Sequence, residues 1–65
     1  MDSRTIIRLI EAEGWQRIRT TGSHHHFRRG ENEGTVTVVH PQKDVPIGTE
    51  KDIERRSGVK LRGRR

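Results

Sequence analysis

The sequence contains no cysteine, so neither a disulfide bond nor a thiolate metal site can stabilise the fold. Hydrophobic residues are also scarce, at 26% of the 65 residues against 35% for charged residues. No apolar run approaches the roughly 20 residues needed to cross a bilayer, and the N-terminus lacks the apolar stretch of a signal peptide. We therefore expect a single small domain with a thin core. The absence of cysteine fits a soluble protein of the reducing cytoplasm.

The charge is uneven along the chain. The formal net charge of +5 favours an anionic partner, either nucleic acid or an acidic protein. Residues 55–65 contain six basic and no acidic side chains, whereas the rest of the chain has eight basic against nine acidic. A second basic group, in a stretch without acidic residues, comprises Arg17, Arg19, Arg28 and Arg29. For residues 55–65, solvated charge explains the pattern as well as RNA binding does.

The chain begins with a predicted amphipathic helix over residues 3–13. Its apolar side chains recur at the spacing of one helix face: Ile6, Ile7, Leu9 and Ile10. Asp2 or Ser3 can cap the N-terminus by accepting a bond from a first-turn amide. Gly14 can adopt the left-handed conformation that commonly ends a helix.

Three strands are predicted next. Residues 15–20 and 24–29 are expected to pair across a turn at Gly22–Ser23, and residues 30–34 form a polar hairpin loop. The third strand, residues 35–39, has the strongest signal because all five of its side chains are valine or threonine, an unbroken β-branched run. A two-layer α+β fold follows, in which a three-stranded antiparallel sheet carries both helices on one face. The other face is left open to solvent.

The second helix is predicted to begin at Thr49, with Asp52 three residues on in the manner of a capping box. Gly58 is expected to close it. The domain therefore extends over residues 1–59, and residues 60–65 are predicted to be a disordered basic tail.

Three consecutive histidines, His24 to His26, begin the second strand. Their position between two strands argues against a purification tag. Strand alternation places His24 and His26 on the open face, and places His25 on the side of Phe27, the only phenylalanine, which we expect in the core. A metal site is one alternative, but zinc needs at least three protein ligands, and only His40 or Asp44 could complete the set.

Phosphodiester cleavage fits these residues better than metal binding. RNA carries its own nucleophile, the 2′-hydroxyl, so a protein need only remove a proton and stabilise the charged transition state. An ordinary histidine titrates near pH ~6.5 and suits the first task, and basic side chains suit the second. His24 could supply the proton transfer, with phosphate contacts from Arg17, Arg19, Arg28 and Lys43. On the residues alone, surface histidines on a basic sheet are the simpler interpretation.

Several short motifs, in this order and spacing, resemble the HicA toxins over about residues 3 to 59. They are Ile6-Ile7-x-Leu9-Ile10 followed by Gly14-Trp15, Gly22-Ser23-His24-His25-x-Phe27, Val36-Thr37-Val38-x-His40-Pro41, and Gly48-Thr49. The resemblance implies the helix-strand-strand-strand-helix fold of a double-stranded-RNA-binding domain. It also implies an mRNA endonuclease held inactive by a HicB antitoxin.

The family's catalytic histidine directly follows Gly-Ser, which corresponds to His24 here. With it we expect an RNA-binding surface of Arg17, Arg19, Ser23, His26, Arg28 and Lys43, and no metal, other cofactor or membrane partner. The chain departs from the family pattern where relatives have apolar residues, at Glu50 and Glu54, and where they have a small apolar one, at Ser57. Residues 62–65 extend beyond the usual end. A non-catalytic RNA-binding module and a mainly protein-binding domain stay open as alternatives.

Overall fold

The computed structural model describes residues 1–62. Its elements are α1 (Ser3–Ala12), β1 (Gln16–Thr21), β2 (His24–Arg28), β3 (Thr35–Val39) and α2 (Ile47–Ser57). The three strands form one antiparallel sheet in the order β1-β2-β3. The predicted α+β fold, with its order of helix, three strands and helix, is confirmed.

Two features stabilise helix α1: an N-terminal cap and a stripe of apolar side chains. Asp2 caps it, with Oδ1 accepting the Thr5 N–H at 2.9 Å. Hydrogen bonding from the Thr5 side chain, and then from its N–H, lowers the pKa of the Asp2 carboxyl. Ile6 and Ile10 are completely buried. Gly14 then has a φ of 98°, which an L side chain rarely adopts, and directs the chain into β1.

Helix α2 begins two residues earlier than predicted. Pro46 occupies the N-cap and no side chain caps the helix, so the predicted capping box at Thr49 is wrong. Asp52 instead pairs with the last-turn arginines Arg55 and Arg56. The proline supplies a fixed φ compatible with a helix start and has no N–H that would need a partner. Gly58 ends α2 with a φ of 72°, as predicted.

The core lies between the helices and one face of the sheet. Directly opposed residues of an antiparallel pair share a face, and the register places Phe27 opposite Val36 and His25 opposite Val38. Phe27, Val36 and Val38 are each 1% exposed, which confirms the expectation for Phe27. The buried apolar cluster comprises Ile6, Ile10, Trp15, Phe27, Val36, Val38, Val45, Ile53, Val59 and Leu61.

Residues 59–62 fold back onto α2, so the expectation of a disordered tail from residue 60 is wrong for Leu61 and Arg62. Leu61 is only 3% exposed. The backbone N–H groups of Leu61 and Arg62 donate to Oε2 of Glu54 at 2.6 and 3.1 Å. The buried face of α2 has a single apolar side chain, Ile53, so this segment supplies apolar surface that the helix lacks. Residues 63–65, the rest of that predicted tail, lie outside the described residues.

Strand β1 is an exposed edge strand with an irregular register. All six of its residues are exposed. Arg17 lies opposite Phe27, but Arg19 lies opposite His26, so the register shifts at Ile18 in a β-bulge. In a regular strand Arg17 and Arg19 would share a face. Here, by their cross-strand partners, they lie on opposite faces.

Candidate functional site

The sheet face that carries no helix, called the open face here, is lined mainly by polar and basic side chains. The register places these residues on it: Gln16, Arg19 and Thr21 of β1, His24, His26 and Arg28 of β2, and Thr35, Thr37 and Val39 of β3. The predicted separation of His24 and His26 from His25 is thereby confirmed. Three of the predicted site residues, His24, His26 and Arg28, occupy alternate positions along β2 and therefore share the open face.

His24 is the first residue of β2 and directly follows the Gly22–Ser23 turn. Gly22 has a φ of 57°, the left-handed conformation that a tight turn requires. The His24 side chain is exposed, and its ring has no hydrogen-bond partner within residues 1–62. Such an imidazole is free to approach a bound molecule and to exchange a proton with it.

His26 is held more firmly than His24. Its Nδ1 lies 2.9 Å from Oγ1 of Thr37 on β3, and Arg19 faces it from β1. Arg28 lies four residues from His24, or about 13 Å along the strand at ~3.3 Å per residue. At this spacing His24 and Arg28 can contact different phosphates of one nucleic-acid strand.

Two of the predicted basic site residues do not lie on the open face, and Ser23 lies in the turn beside it. Arg17 is on the helix side of the sheet because of the bulge at Ile18. Lys43 lies in the loop between β3 and α2, beside the N-terminus of α1. Ser23 is exposed in the turn, and its carbonyl accepts the His40 N–H at 2.8 Å. The predicted basic cluster around His24 is thus divided between the two sides of the sheet.

A groove on the helix side, called the His40 groove here, was not predicted from the sequence. It has a volume of about 420 Å³ and is lined by Asp2, Ser3, Arg4, His40, Pro41, Gln42 and Lys43. His40 Nδ1 lies 2.7 Å from the Ser3 hydroxyl, and the His40 ring meets His25 edge-on at 5.1 Å. The sequence analysis considered two of its residues separately, His40 as a possible metal ligand and Lys43 as a phosphate contact, but did not bring them together.

Arg29 has a structural role that separates it from its neighbour Arg28. Its guanidinium lies 5.0 Å from the ring centre of Trp15 and donates to the Glu13 carbonyl at 2.9 Å. It also forms a two-point ion pair with Glu33, which raises the pKa of Arg29 and lowers that of Glu33. Arg29 is therefore engaged within the fold, whereas Arg28 faces solvent.

The sequence left a metal site open as one alternative. Within residues 1–62, no three histidine or acidic side chains converge in a group that could hold a metal ion. Among these residues, His25 and His40 approach each other, but no third ligand joins them.

None of the helices in residues 1–62 is both long and apolar enough to cross a membrane.

The sequence was also compared with known proteins. The family model described as the HicA toxin of bacterial toxin-antitoxin systems matches residues 3–59, which include both helices and all three strands. A comparison with curated protein sequences finds no match. The matched region covers most of the 65 residues and includes the Gly22–Ser23 turn and His24. The chain belongs to the HicA family of toxins from bacterial toxin–antitoxin systems.

Proposed function

We propose that this toxin is an endoribonuclease that cleaves mRNA with His24 as its acid–base group, and that a HicB-type antitoxin neutralises it in the cytoplasm. The observation that supports the proposal most directly is the position of His24. This histidine is exposed at the start of β2, follows the Gly22–Ser23 turn and lies inside the family match. The resemblance of this Gly-Ser-His motif to the family's catalytic motif supports the same assignment.

The proposed chemistry is transfer of the phosphoryl group within the RNA. The neutral imidazole of His24 accepts the proton of a ribose 2′-hydroxyl from about 3 Å away. The 2′-oxygen then bonds to the adjacent phosphorus, and the bond from phosphorus to the 5′-oxygen breaks. The products are a 2′,3′-cyclic phosphate and an RNA with a 5′-hydroxyl, whose oxygen takes up a proton from water, while His24 returns its proton to the solvent. The step needs no cofactor, because the RNA supplies the nucleophile.

The basic side chains of the open face would hold the RNA in place. Arg19 and Arg28 share that face with His24 and are exposed. Guanidinium groups bind phosphate oxygens in a fixed, two-point geometry and stay charged at any physiological pH. His26, fixed by Thr37, lies between Arg28 and His24 on β2 and can contact the same strand of RNA.

The test is to compare the wild-type protein with His24→Ala for RNA cleavage and for growth arrest on expression. We expect both activities to be lost, because no other group would accept the 2′-proton. Circular dichroism should stay unchanged, since the ring of His24 makes no hydrogen bond within residues 1–62. An RNA with a 2′-deoxyribose at the cleavage position should resist the wild-type protein.

Two outcomes would contradict the proposal. Cleavage by a well-folded His24→Ala variant would remove His24 from the mechanism. Wild-type protein that binds RNA without cutting it would favour the non-catalytic RNA-binding module instead.

A further inference from the structure

We propose that the His40 groove is a second RNA subsite, which binds a backbone phosphate next to the one that reacts at His24. The inference rests on the proposed RNA cleavage and adds a binding site to it. The groove and His24 lie at the same end of the sheet on opposite sides. They are joined through the turn, because the His40 N–H donates to the Ser23 carbonyl at 2.8 Å while His24 pairs with Val39.

The groove holds a histidine in one fixed orientation. Ser3 is 1% exposed, and its Oγ accepts the Gln42 N–H at 2.8 Å. A buried hydroxyl hydrogen also needs an acceptor, and His40 Nδ1 at 2.7 Å provides one. On this bonding pattern we assign the ring proton of neutral His40 to Nε2. His40 thereby has an N–H available to donate to a phosphate oxygen.

Two cations line the groove, and one of them, Arg4, also interacts electrostatically with Asp2. Arg4 and Lys43 are exposed, and neither forms a salt bridge within residues 1–62. Four arginines elsewhere in the described residues, by contrast, are engaged in ion pairs: Arg29, Arg55, Arg56 and Arg62. The carboxylate of Asp2 also lines the groove, but its Oδ1 is occupied by the Thr5 N–H. The two cations outnumber this carboxylate, so the groove favours an anion.

The lining of the groove favours an RNA backbone over a protein partner. Three of its seven lining residues are charged, namely Asp2, Arg4 and Lys43, whereas the centre of a protein interface is poor in charge. An RNA strand that crosses His24 on the open face and continues round the Gly22–Ser23 turn reaches the groove directly. Arg4, His40 and Lys43 would then contact a phosphate that flanks the cleaved bond.

The experiment measures RNA affinity in the full-length His24→Ala protein, which does not consume its probe. Arg4→Ala and Lys43→Ala are compared with Arg8→Ala, one helical turn further along α1, and with Lys51→Ala on α2. The probes are a single-stranded RNA of about twelve nucleotides and a dinucleotide, each titrated over a range of salt concentrations. All four residues are exposed, and thermal melting verifies that the variants stay folded.

For the longer RNA, loss of one phosphate contact should lower the salt slope by about 0.7 and weaken binding about fourfold at 0.15 M salt. We expect this for the two groove variants and not for the two controls. The dinucleotide, too short to span both sites, should bind all variants equally. The inference is overturned if the longer RNA binds all four variants alike while the wild-type protein still cleaves, a result that leaves the proposed function intact.

Two other results overturn the inference in different ways. If the groove variants lose affinity only for the antitoxin, the groove is a protein-binding surface. If the wild-type protein neither binds nor cleaves RNA, the proposed function fails together with the subsite.

Discussion

Glu50 and Arg62 form an ion pair that joins the first turn of α2 to the segment that follows the helix. The guanidinium donates to both carboxylate oxygens, with Nη2 3.1 Å from Oε2. The amino group of Met1 lies 2.9 Å from the same Oε2. The Glu50 side chain is only 2% exposed, and these bonds, that of Arg62 first, hold the pKa of its carboxyl below the ordinary value. A residue that departs from the apolar pattern of its relatives is thus satisfied by two cations.

We predict that Glu50→Gln lowers the free energy of unfolding by about 1–3 kcal/mol, the usual cost when a buried hydrogen-bonding partner is lost. With the amide oxygen in the place of Oε2, the NH2 group replaces Oε1, so it cannot accept the Arg62 Nε–H and instead faces that donor. Urea denaturation followed by circular dichroism measures the change. Lys51→Gln, an exposed neighbour on α2, is the control and should stay close to wild type. Equal stability of the two variants would mean that the ion pair contributes nothing.

Stability should depend on pH through Glu50 and Glu54. Their folded pKa values are lowered, that of Glu50 mainly by the Arg62 bond and that of Glu54 mainly by the Leu61 N–H. Below the ordinary glutamate value of 4.5, the unfolded chain therefore binds more protons than the folded protein. The contribution is fully present above that pH and is lost as the pH falls through the folded pKa values.

Urea midpoints measured between about pH 6 and pH 3 test this dependence. The double variant Glu50→Gln/Glu54→Gln should show a shallower decline on the acid side than wild type. Glu11→Gln, at an exposed position in α1, is the matched control and should follow the wild-type curve. Parallel curves for the wild type and the double variant would contradict the assignment.

The division of the basic residues between two faces predicts unequal effects on RNA binding. Arg19→Glu and Arg28→Glu should each weaken binding several-fold, and uniformly across RNA sequences, because phosphate contacts carry no base information. Arg17→Glu, two residues from Arg19 but on the helix side, should have a much smaller effect. Electrophoretic mobility shifts with two unrelated RNAs provide the measurement. Equal losses at Arg17 and Arg19 would show that RNA contacts both sides of β1.

The antitoxin is predicted to act by covering His24. An acidic partner would be steered to the open face by Arg19 and Arg28, and a covered imidazole cannot come within reach of a 2′-hydroxyl. Hydrogen exchange of the toxin–antitoxin complex should show protection at residues 22–28 relative to the free toxin. Inhibition with these amides still unprotected would indicate an allosteric mechanism instead.

Patterns local in the sequence predicted most of the fold. The apolar stripe that includes Ile6 and Ile10 predicts a helix, and the β-branched run of residues 35–39 predicts a strand. Each of these patterns depends only on residues a few positions apart in the sequence. The exposure of His24 follows from simple alternation out from the buried Phe27. These features need no knowledge of distant contacts.

The features that were missed depend on contacts between distant residues. Burial of Glu50 requires Arg62 and Met1, which no local pattern connects with it. Leu61 is buried because the chain turns back after Gly58, and composition alone favoured disorder there. The bulge at Ile18 has no residue signature, and it moved Arg17 out of the predicted site.

The bulge also affects how the toxin meets other copies of itself. Strand β1 is an edge of the sheet, and an edge with unpaired backbone groups can act as a template for a strand from another molecule. Regular pairing needs a flat stretch, and the extra residue at Ile18 twists the strand and interrupts its ladder of donors and acceptors. Arg17 and Arg19 flank it with charges that would repel the same strand of a second molecule. The irregularity therefore protects a chain with an exposed isoleucine at its sheet edge from aggregation.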